Sequence, residues 1–93
     1  MIQSWRSEDA REIFEGRIPR RFSSDLVART RRMLARLDAA ATVDDMRVPP
    51  GNRLHALTGD RAGDWSVSVN DQYRITFRWG PQGPEDVWFG DYH

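Results

Sequence analysis

The sequence predicts an α+β fold with the element order β-α-α-β-β-β, in which two helices pack on one face of an antiparallel sheet. Hydrophobic residues recur at helical spacing in the first part of the chain, and from residue 53 they alternate with polar residues, as in half-buried strands. The segment VPPGN, at 48–52, separates the two patterns. The 93 residues suffice for one small core, so a single domain, residues 1–93, is expected.

Two segments carry helix signals. In SEDAREIFEG, Ser7 is placed as the N-cap, acidic residues follow it, and Gly16 can adopt the left-handed conformation that ends a helix. The longer segment SSDLVARTRRMLARLDAAAT, residues 23–42, has one helix face formed by Leu26, Thr30, Met33, Leu34 and Leu37. Before both helices, the opening MIQSWR alternates weakly and is expected to form a short strand.

The second part of the chain reads as strands joined by turns that are rich in glycine, proline, asparagine and aspartate. The inward positions of two strands are Trp65, Val67, Val69, Tyr73, Ile75, Phe77 and Trp79. The opposite face is expected to be open and rich in cations, with Arg53, His55, Ser66, Ser68, Arg74, Thr76 and Arg78. The last run, VWFGDYH, is too short for its faces to be assigned.

Composition excludes several classes of function. The chain has no cysteine, so it has neither disulfides nor thiolate zinc sites, and a reducing cytoplasm is the expected location. No apolar run is long enough to cross a bilayer, and acidic residues near the N-terminus argue against a signal peptide, so no membrane partner is expected. The pair Asp44 and Asp45 has no third ligand at a suitable spacing, and no glycine-rich phosphate loop is present. Neither a metal nor a cofactor is therefore predicted.

The charge of the chain is zero overall but unevenly distributed. Residues 1–36 contain nine arginines and five acids, whereas residues 37–93 contain five arginines and nine acids. All 14 basic residues are arginine, and the planar guanidinium group matches phosphate oxygens. Arg29, Arg32 and Arg36 form a stripe along the second helix. Such a stripe is ordinarily a solvated face, and contact with phosphates is the functional alternative.

The strand region also contains the residues that could perform chemistry. Both histidines of the chain, His55 and His93, lie there with Arg74 and Asp91. Together they could supply an acid, a base and a fixed cation, which cleavage of RNA by its own 2′-hydroxyl requires. Imidazole suits proton transfer near neutral pH. Tyr92 could donate a proton or stack on a base, and Asp91 could orient a histidine or act as a base, so spacing alone leaves the individual roles open.

The segment NRLHALTGDRAGDWSVSVNDQYRITFRW, residues 52–79, followed by DYH at 91–93, resembles the HigB branch of the RelE toxin superfamily. The shared pattern also includes the opening MI-S stretch and the helical hairpin, so the resemblance covers almost the whole chain. Each element is short, but their combination is specific.

This resemblance implies a RelE-like fold and a ribosome-dependent, metal-independent endoribonuclease. Such an mRNA interferase is the toxin of a type II toxin–antitoxin pair and cleaves mRNA in the ribosomal A site, next to the 16S rRNA. The implied partner is a HigA-type helix-turn-helix antitoxin, through which the toxin reaches operator DNA only indirectly. The catalytic cluster of the family maps onto His55, Arg74, Asp91, Tyr92 and His93.

Contacts with RNA or the ribosome are expected from Arg29, Arg32, Arg36, Arg53, Arg61 and Arg78. The sequence departs from the pattern at Thr58, because relatives commonly have a lysine there. A lysine at that position would contact phosphate, and the nearby Arg61 could compensate for its loss.

Two other readings keep the fold but change the function. ParE-type toxins share the scaffold and bind gyrase without a ribonuclease centre. A non-catalytic RNA- or ribosome-binding domain would use the arginine helix alone. His55 and the triplet at 91–93 favour the ribonuclease, because a binding protein has no use for them.

Overall fold

Four antiparallel strands form one sheet, in which neighbours in sequence are neighbours in space. The strands are β1 (His55–Ala56), β2 (Asp64–Ser68), β3 (Tyr73–Gly80) and β4 (Gly83–Asp91). The computed structural model describes residues 1–91. Strands β3 and β4 form a hairpin whose two-residue turn joins Gly80 to Gly83, which pair across it. The predicted α+β class and antiparallel sheet are therefore confirmed.

Two helices precede the sheet, α1 (Glu8–Phe14) and α2 (Ser24–Ala39). Ser7 and Ser23 cap them, because each side chain accepts a hydrogen bond from the backbone amide three residues later. Gly16 follows α1 with a φ of 100°, which a side chain would strain. In the described chain, none of the helices is sufficiently long and apolar to cross a membrane.

The core lies between the helices and one face of the sheet. Its helical part contains Ala10, Ile13, Val27, Met33, Leu34 and Leu37. The sheet contributes Val67, Ile75, Phe77, Val87 and Phe89, and Val69 follows β2 directly. Phe22, in the loop before α2, packs edge-on against Tyr73 and Phe89, with ring centroids 5.7 and 5.3 Å away. The hydrophobic positions predicted from alternation thus face the helices.

The order of elements differs from the predicted one in two details. The N-terminal segment makes a single parallel bridge, between Trp5 and Val87, instead of a full strand. The segment still lies along β4, since the backbone N–H of Gln3 donates to the carbonyl oxygen of Pro84 at 2.8 Å. The second difference is that four strands, not three, follow the helices, because the alternating segment that begins at residue 53 forms the separate two-residue strand β1 at the other edge of the sheet.

Strand β4 contains a β-bulge, where Asp86 and Val87 together stand opposite the single residue Phe77 of β3. Asp86 has a φ of 52°, the left-handed conformation often found at bulges. The extra residue reverses the alternation of faces along the strand. Trp88 therefore lies on the face of the sheet turned away from the core.

Candidate active site on the polar face of the sheet

The face of the sheet turned away from the helices carries one side chain from each strand in a row. In register, the row consists of His55, Ser66, Thr76 and Trp88. The sequence predicts an open face, but Ser66 and Thr76 are 0% and 1% exposed. Arg61 lies over Thr76, because its Nη2 donates to Thr76 Oγ1 at 2.9 Å. The two residues in the middle of the row are thus shielded from solvent, while His55 at its edge is exposed.

Arg74 lies on the same face, two residues along β3 from Thr76, opposite Ser68 and Gly90. Strands are about 4.8 Å apart and residues rise about 3.4 Å each, so the Cα atoms of His55 and Arg74 are about 12 Å apart. Two long side chains at this separation can both reach a phosphate between them.

Arg74 is only partly exposed, and its Nη1 is buried without a hydrogen-bond partner within residues 1–91. An unpaired buried donor costs about 1–3 kcal/mol. The guanidinium group therefore supplies positive charge to this face at some cost in stability.

The imidazole of His55 is held by its own backbone. Its Nδ1 lies 3.0 Å from the carbonyl oxygen of Arg53. Arg53 has φ and ψ of 50° and 48°, a left-handed conformation that follows the 3-10 helix Pro50–Asn52. When the proton is on Nδ1, this hydrogen bond leaves Nε2 unprotonated and able to accept a proton.

Asp64, at the start of β2, forms ion pairs with three arginines. Its carboxylate oxygens lie 3.3 Å from Arg61 Nε, 3.5 Å from Arg6 Nη1 and 3.8 Å from Arg78 Nε. The Asp64 side chain is 13% exposed, whereas Arg6 and Arg78 are about half exposed. Asp64 thus compensates one of three guanidinium charges, and Glu85, the register partner of Arg78, brings a second carboxylate to the same row.

One further predicted catalytic residue, Asp91, lies at the end of β4. Asp91 pairs in register with Tyr73, which belongs to the core-facing side of β3, and not with Arg74. Its Oδ2 accepts a hydrogen bond from Gln72 Nε2 at 3.0 Å. The structure thus brings His55 and Arg74 to one face and places Asp91 at the end of the neighbouring strand. Tyr92 and His93 lie outside the described residues.

The arginine stripe of α2 lines a cleft of about 240 Å³. Arg29, Arg32 and Arg36 are exposed along its helical side, and Asn52 and Ser68 lie on its other side. Ser68 is the register partner of Arg74, so the cleft begins where the polar face ends. The six arginines predicted to contact RNA therefore fall into two neighbouring groups, one along α2 and one on or beside the sheet.

The acidic pair that follows α2 has structural partners. The backbone amides of Thr42 and Ala41 donate hydrogen bonds to Asp45, and these bonds hold the pKa of its carboxyl group below the ordinary value. Asp44 pairs with Arg47 at 2.9 Å. Both carboxylates thus stabilise the 3-10 helix Val43–Arg47.

Three residues of the candidate site were not predicted from the sequence. Asp64 could have been found, because the alternation in DWSVS places it on the face of Ser66 and Ser68. Trp88 could not be assigned, since the bulge of β4 breaks the alternation. Arg6 belongs to the N-terminal segment. It could not have been assigned to the site, because no local sequence pattern links that segment to β2.

The architecture is that of a RelE-like toxin. A solved structure described as "YoeB/ParE toxin from Agrobacterium tumefaciens" superposes with a TM-score of 0.63 over 99% of this chain and 98% of that chain. The two sequences are 17% identical, so this likeness concerns the fold.

A model of the HigB-like toxin family, described as "RelE-like toxin of type II toxin-antitoxin system HigB", matches residues 4–93. Because the match covers nearly the whole chain, the protein belongs to this family of type II toxin–antitoxin systems.

Two curated relatives are similar to the chain. It is 50% identical over 48 residues to "Toxin HigB-1" of Vibrio cholerae serotype O1, an alignment that covers 52% of this chain and spans only 50% of that relative. It is 29% identical to "Endoribonuclease HigB" of Proteus vulgaris, in an alignment of 93 residues that covers both chains completely.

Proposed function

We propose that this toxin is an mRNA interferase, an endoribonuclease that cleaves mRNA in the A site of the ribosome. The observation that carries the proposal is the placement of His55 and Arg74 on one face of the sheet, bordered by the arginines around Asp64. Family membership and the similarity to a protein named Endoribonuclease HigB support it. A gyrase-binding toxin of the same fold needs no such face.

The proposed reaction uses the 2′-hydroxyl of RNA as the nucleophile. His55 Nε2 accepts a proton or returns one, because its Nδ1 is engaged with the Arg53 carbonyl. Arg74 stabilises the charge that builds on the phosphate oxygens. His93, Tyr92 and Asp91 supply the second proton-transfer group and its orientation. Side chains provide both proton transfers and the charge stabilisation, so the mechanism requires no metal ion.

The arginines position the substrate in this proposal. Arg61 and Arg78 contact RNA phosphates beside the reaction centre, and Arg61 supplies the positive charge that Thr58 lacks. Arg53 and the three arginines of α2 contact RNA or the 16S rRNA of the ribosome. A net charge of zero gives little general attraction to RNA, which favours a toxin whose substrate is placed by the ribosome.

The antitoxin partner that the family implies is proposed to be a HigA-type helix-turn-helix protein. Operator DNA is then contacted through that antitoxin. Because the ribosome and its message are cytoplasmic, the proposed site of action is the cytoplasm.

Replacement of His55 by alanine tests the mechanism. We expect His55→Ala to reduce cleavage of ribosome-bound message by roughly 100-fold or more, the scale of a lost general acid–base catalyst. His55 is exposed, so the thermal transition should not move. Gln82→Ala, an exposed change in the β3–β4 turn, is the control and should cleave normally. Cleavage by His55→Ala at the wild-type rate would remove His55 from the mechanism.

The dependence on the ribosome is tested by comparing the cleavage rates of naked RNA and of the same RNA bound to ribosomes. We expect cleavage only of the ribosome-bound RNA. Equal rates on the two substrates would contradict it. A wild-type protein that inhibits gyrase and leaves both substrates intact would support the gyrase-binding alternative.

A further inference from the structure

Trp88 occupies an unusual place for a large aromatic residue. Within the described strands, it is the only Phe, Tyr or Trp side chain on the polar face, where it stands beside Thr76. The other aromatic residues of β3 and β4 pack toward the core. Trp88 is partly exposed, which costs hydrophobic free energy that burial on the core face would recover.

The indole of Trp88 extends along β4 toward Arg74. A Cβ atom built on Gly90 would lie 2.6 Å from Trp88 Cζ2 and 2.8 Å from Cη2, so the six-membered ring lies directly against the Gly90 backbone. Gly90 is the register partner of Arg74. The absence of a side chain at position 90 therefore lets the indole reach the row that contains Arg74.

A cation also lies close to the same indole. The guanidinium carbon of Arg61 is 5.9 Å from the centroid of the Trp88 ring, and Arg61 is fixed by Thr76 Oγ1 and Asp64. An aromatic ring close to guanidinium groups is an arrangement with which proteins hold single-stranded nucleic acid. The cations contact phosphates and the ring stacks on a base.

We propose that Trp88 is a base-stacking residue, against which a nucleobase next to the cleaved phosphate packs while Arg61 and Arg74 contact the backbone. This role deepens the proposed function and rests on it. Stacking tolerates every base, since each has a π-face, so Trp88 contributes to positioning more than to the choice of base.

A purely structural role for Trp88 makes a different prediction. If the indole only covers Thr76 and supports Arg61, leucine would replace it with little loss, and the identity of the RNA would not matter. If the indole stacks on a base, the loss depends on the presence of that base. A message with an abasic nucleotide on either side of the cleaved bond separates the two roles.

The test compares Trp88→Leu, Trp88→Phe and the unaltered protein on ribosomes programmed with normal or abasic messages. We expect Trp88→Leu to lower kcat/KM on the normal message roughly 5- to 100-fold, the range that base–aromatic stacking produces. Trp88→Phe keeps an aromatic ring and should retain most of the activity. On one of the abasic messages, Trp88→Leu and the unaltered protein should cleave equally well.

Two results would overturn the stacking role alone: normal cleavage by Trp88→Leu, or an equally large loss on the normal and both abasic messages. If Trp88→Leu does not fold, the stacking role is tested with the unaltered protein alone, by comparing its cleavage of the normal and abasic messages. Its kcat/KM must fall on one abasic message, and unchanged cleavage of both would refute the proposal. If the unaltered protein cleaves none of the messages, the proposed ribonuclease function fails, and the stacking role fails with it.

Discussion

Asp64 shows how a single carboxylate can organise a cationic site. Its side chain is largely buried and touches Arg6, Arg61 and Arg78, residues from three separate parts of the chain. Without this carboxylate, three guanidinium groups would repel one another across a short distance. We therefore expect Asp64 to position Arg61 over the sheet, and this positioning to depend on the charge of the carboxylate.

Asp64→Asn tests this role, because it preserves shape and removes the charge. We expect the maximal cleavage rate to fall by roughly 10- to 100-fold, since Arg61 loses its anchor and the substrate contact that it makes is misplaced. Binding to RNA should not weaken, because the net charge becomes more positive.

Asp60→Asn is the matched control for that prediction. It makes the same change of charge at an exposed position of the segment that leads into β2. If Asp64→Asn and Asp60→Asn have identical kinetics, Asp64 does not position Arg61.

Two elements determine what the polar face can contact. The bulge in β4 turns Trp88 onto that face, as bulges near functional sites often redirect a side chain. Helix α2 presents one stripe to the core and another, with Arg29, Arg32 and Arg36, to the cleft beside Ser68. Because Ser68 pairs with Arg74, the cleft lies next to the proposed reaction centre, and we expect a bound strand of RNA to continue from there toward the helix.

The cleft along α2 leads to a prediction about salt dependence. Arg29→Ala combined with Arg32→Ala should weaken binding to ribosome-bound message. The slope of log K against log salt concentration should fall by about 0.7 for each lost phosphate contact with a single strand. The maximal cleavage rate should stay unchanged, because neither arginine lies on the polar face of the sheet.

The control for this pair is Arg17→Ala combined with Arg20→Ala. It removes the same charge from exposed positions in the loop between the helices. Equal salt slopes for the two double variants would show that the stripe is only a solvated helix face.

At the scale of the whole molecule, the sheet separates stability from function. One face packs against α1 and α2 and contains the core, and the other carries the candidate site. Adjacent residues of β3 alternate between these tasks, with Ile75 and Phe77 in the core and Arg74 and Thr76 on the polar face. Substitutions on the two sides should therefore have different consequences.

Leu34→Ala tests this separation. Leu34 is 0% exposed within the core, so its truncation should reduce the free energy of unfolding by about 2–5 kcal/mol. The midpoint of thermal unfolding should fall by roughly 10 °C or more for a domain of this size.

Below the transition temperature, the folded fraction of Leu34→Ala should cleave at the wild-type rate. Leu26→Ala is the control, since Leu26 lies on the same helix but is only partly buried, and its loss should be smaller. A normal melting point with impaired cleavage would contradict the separation of the two faces.

Much of this molecule follows from local sequence patterns. Ser7 and Ser23 begin the helices, because a hydroxyl at that position satisfies an unpaired amide whatever the rest of the chain does. The alternation in YRITFRW assigns the faces of β3 correctly, because successive side chains of a strand point to opposite sides. The placement of His55 and Arg74 on one face follows from the same rule.

Other features depend on contacts between distant parts of the chain. Arg6 and Asp64 are separated by 58 positions in the sequence, and no periodicity connects them. The short extent of the N-terminal pairing depends on how closely that segment approaches β4. The orientation of Trp88 depends on one extra residue at the bulge, which reverses a pattern of period two.

The sequence by itself therefore determined the fold class, the two helices, the core face of the sheet and the residue types available for chemistry. These properties arise from periodicity and capping, which act over a few residues. Only the tertiary structure decided that Arg61 covers Thr76, that Asp64 gathers three arginines and that Trp88 lies beside them. Those arrangements depend on where separate segments meet in space, and electrostatic and packing contacts across such distances leave no local pattern in the chain.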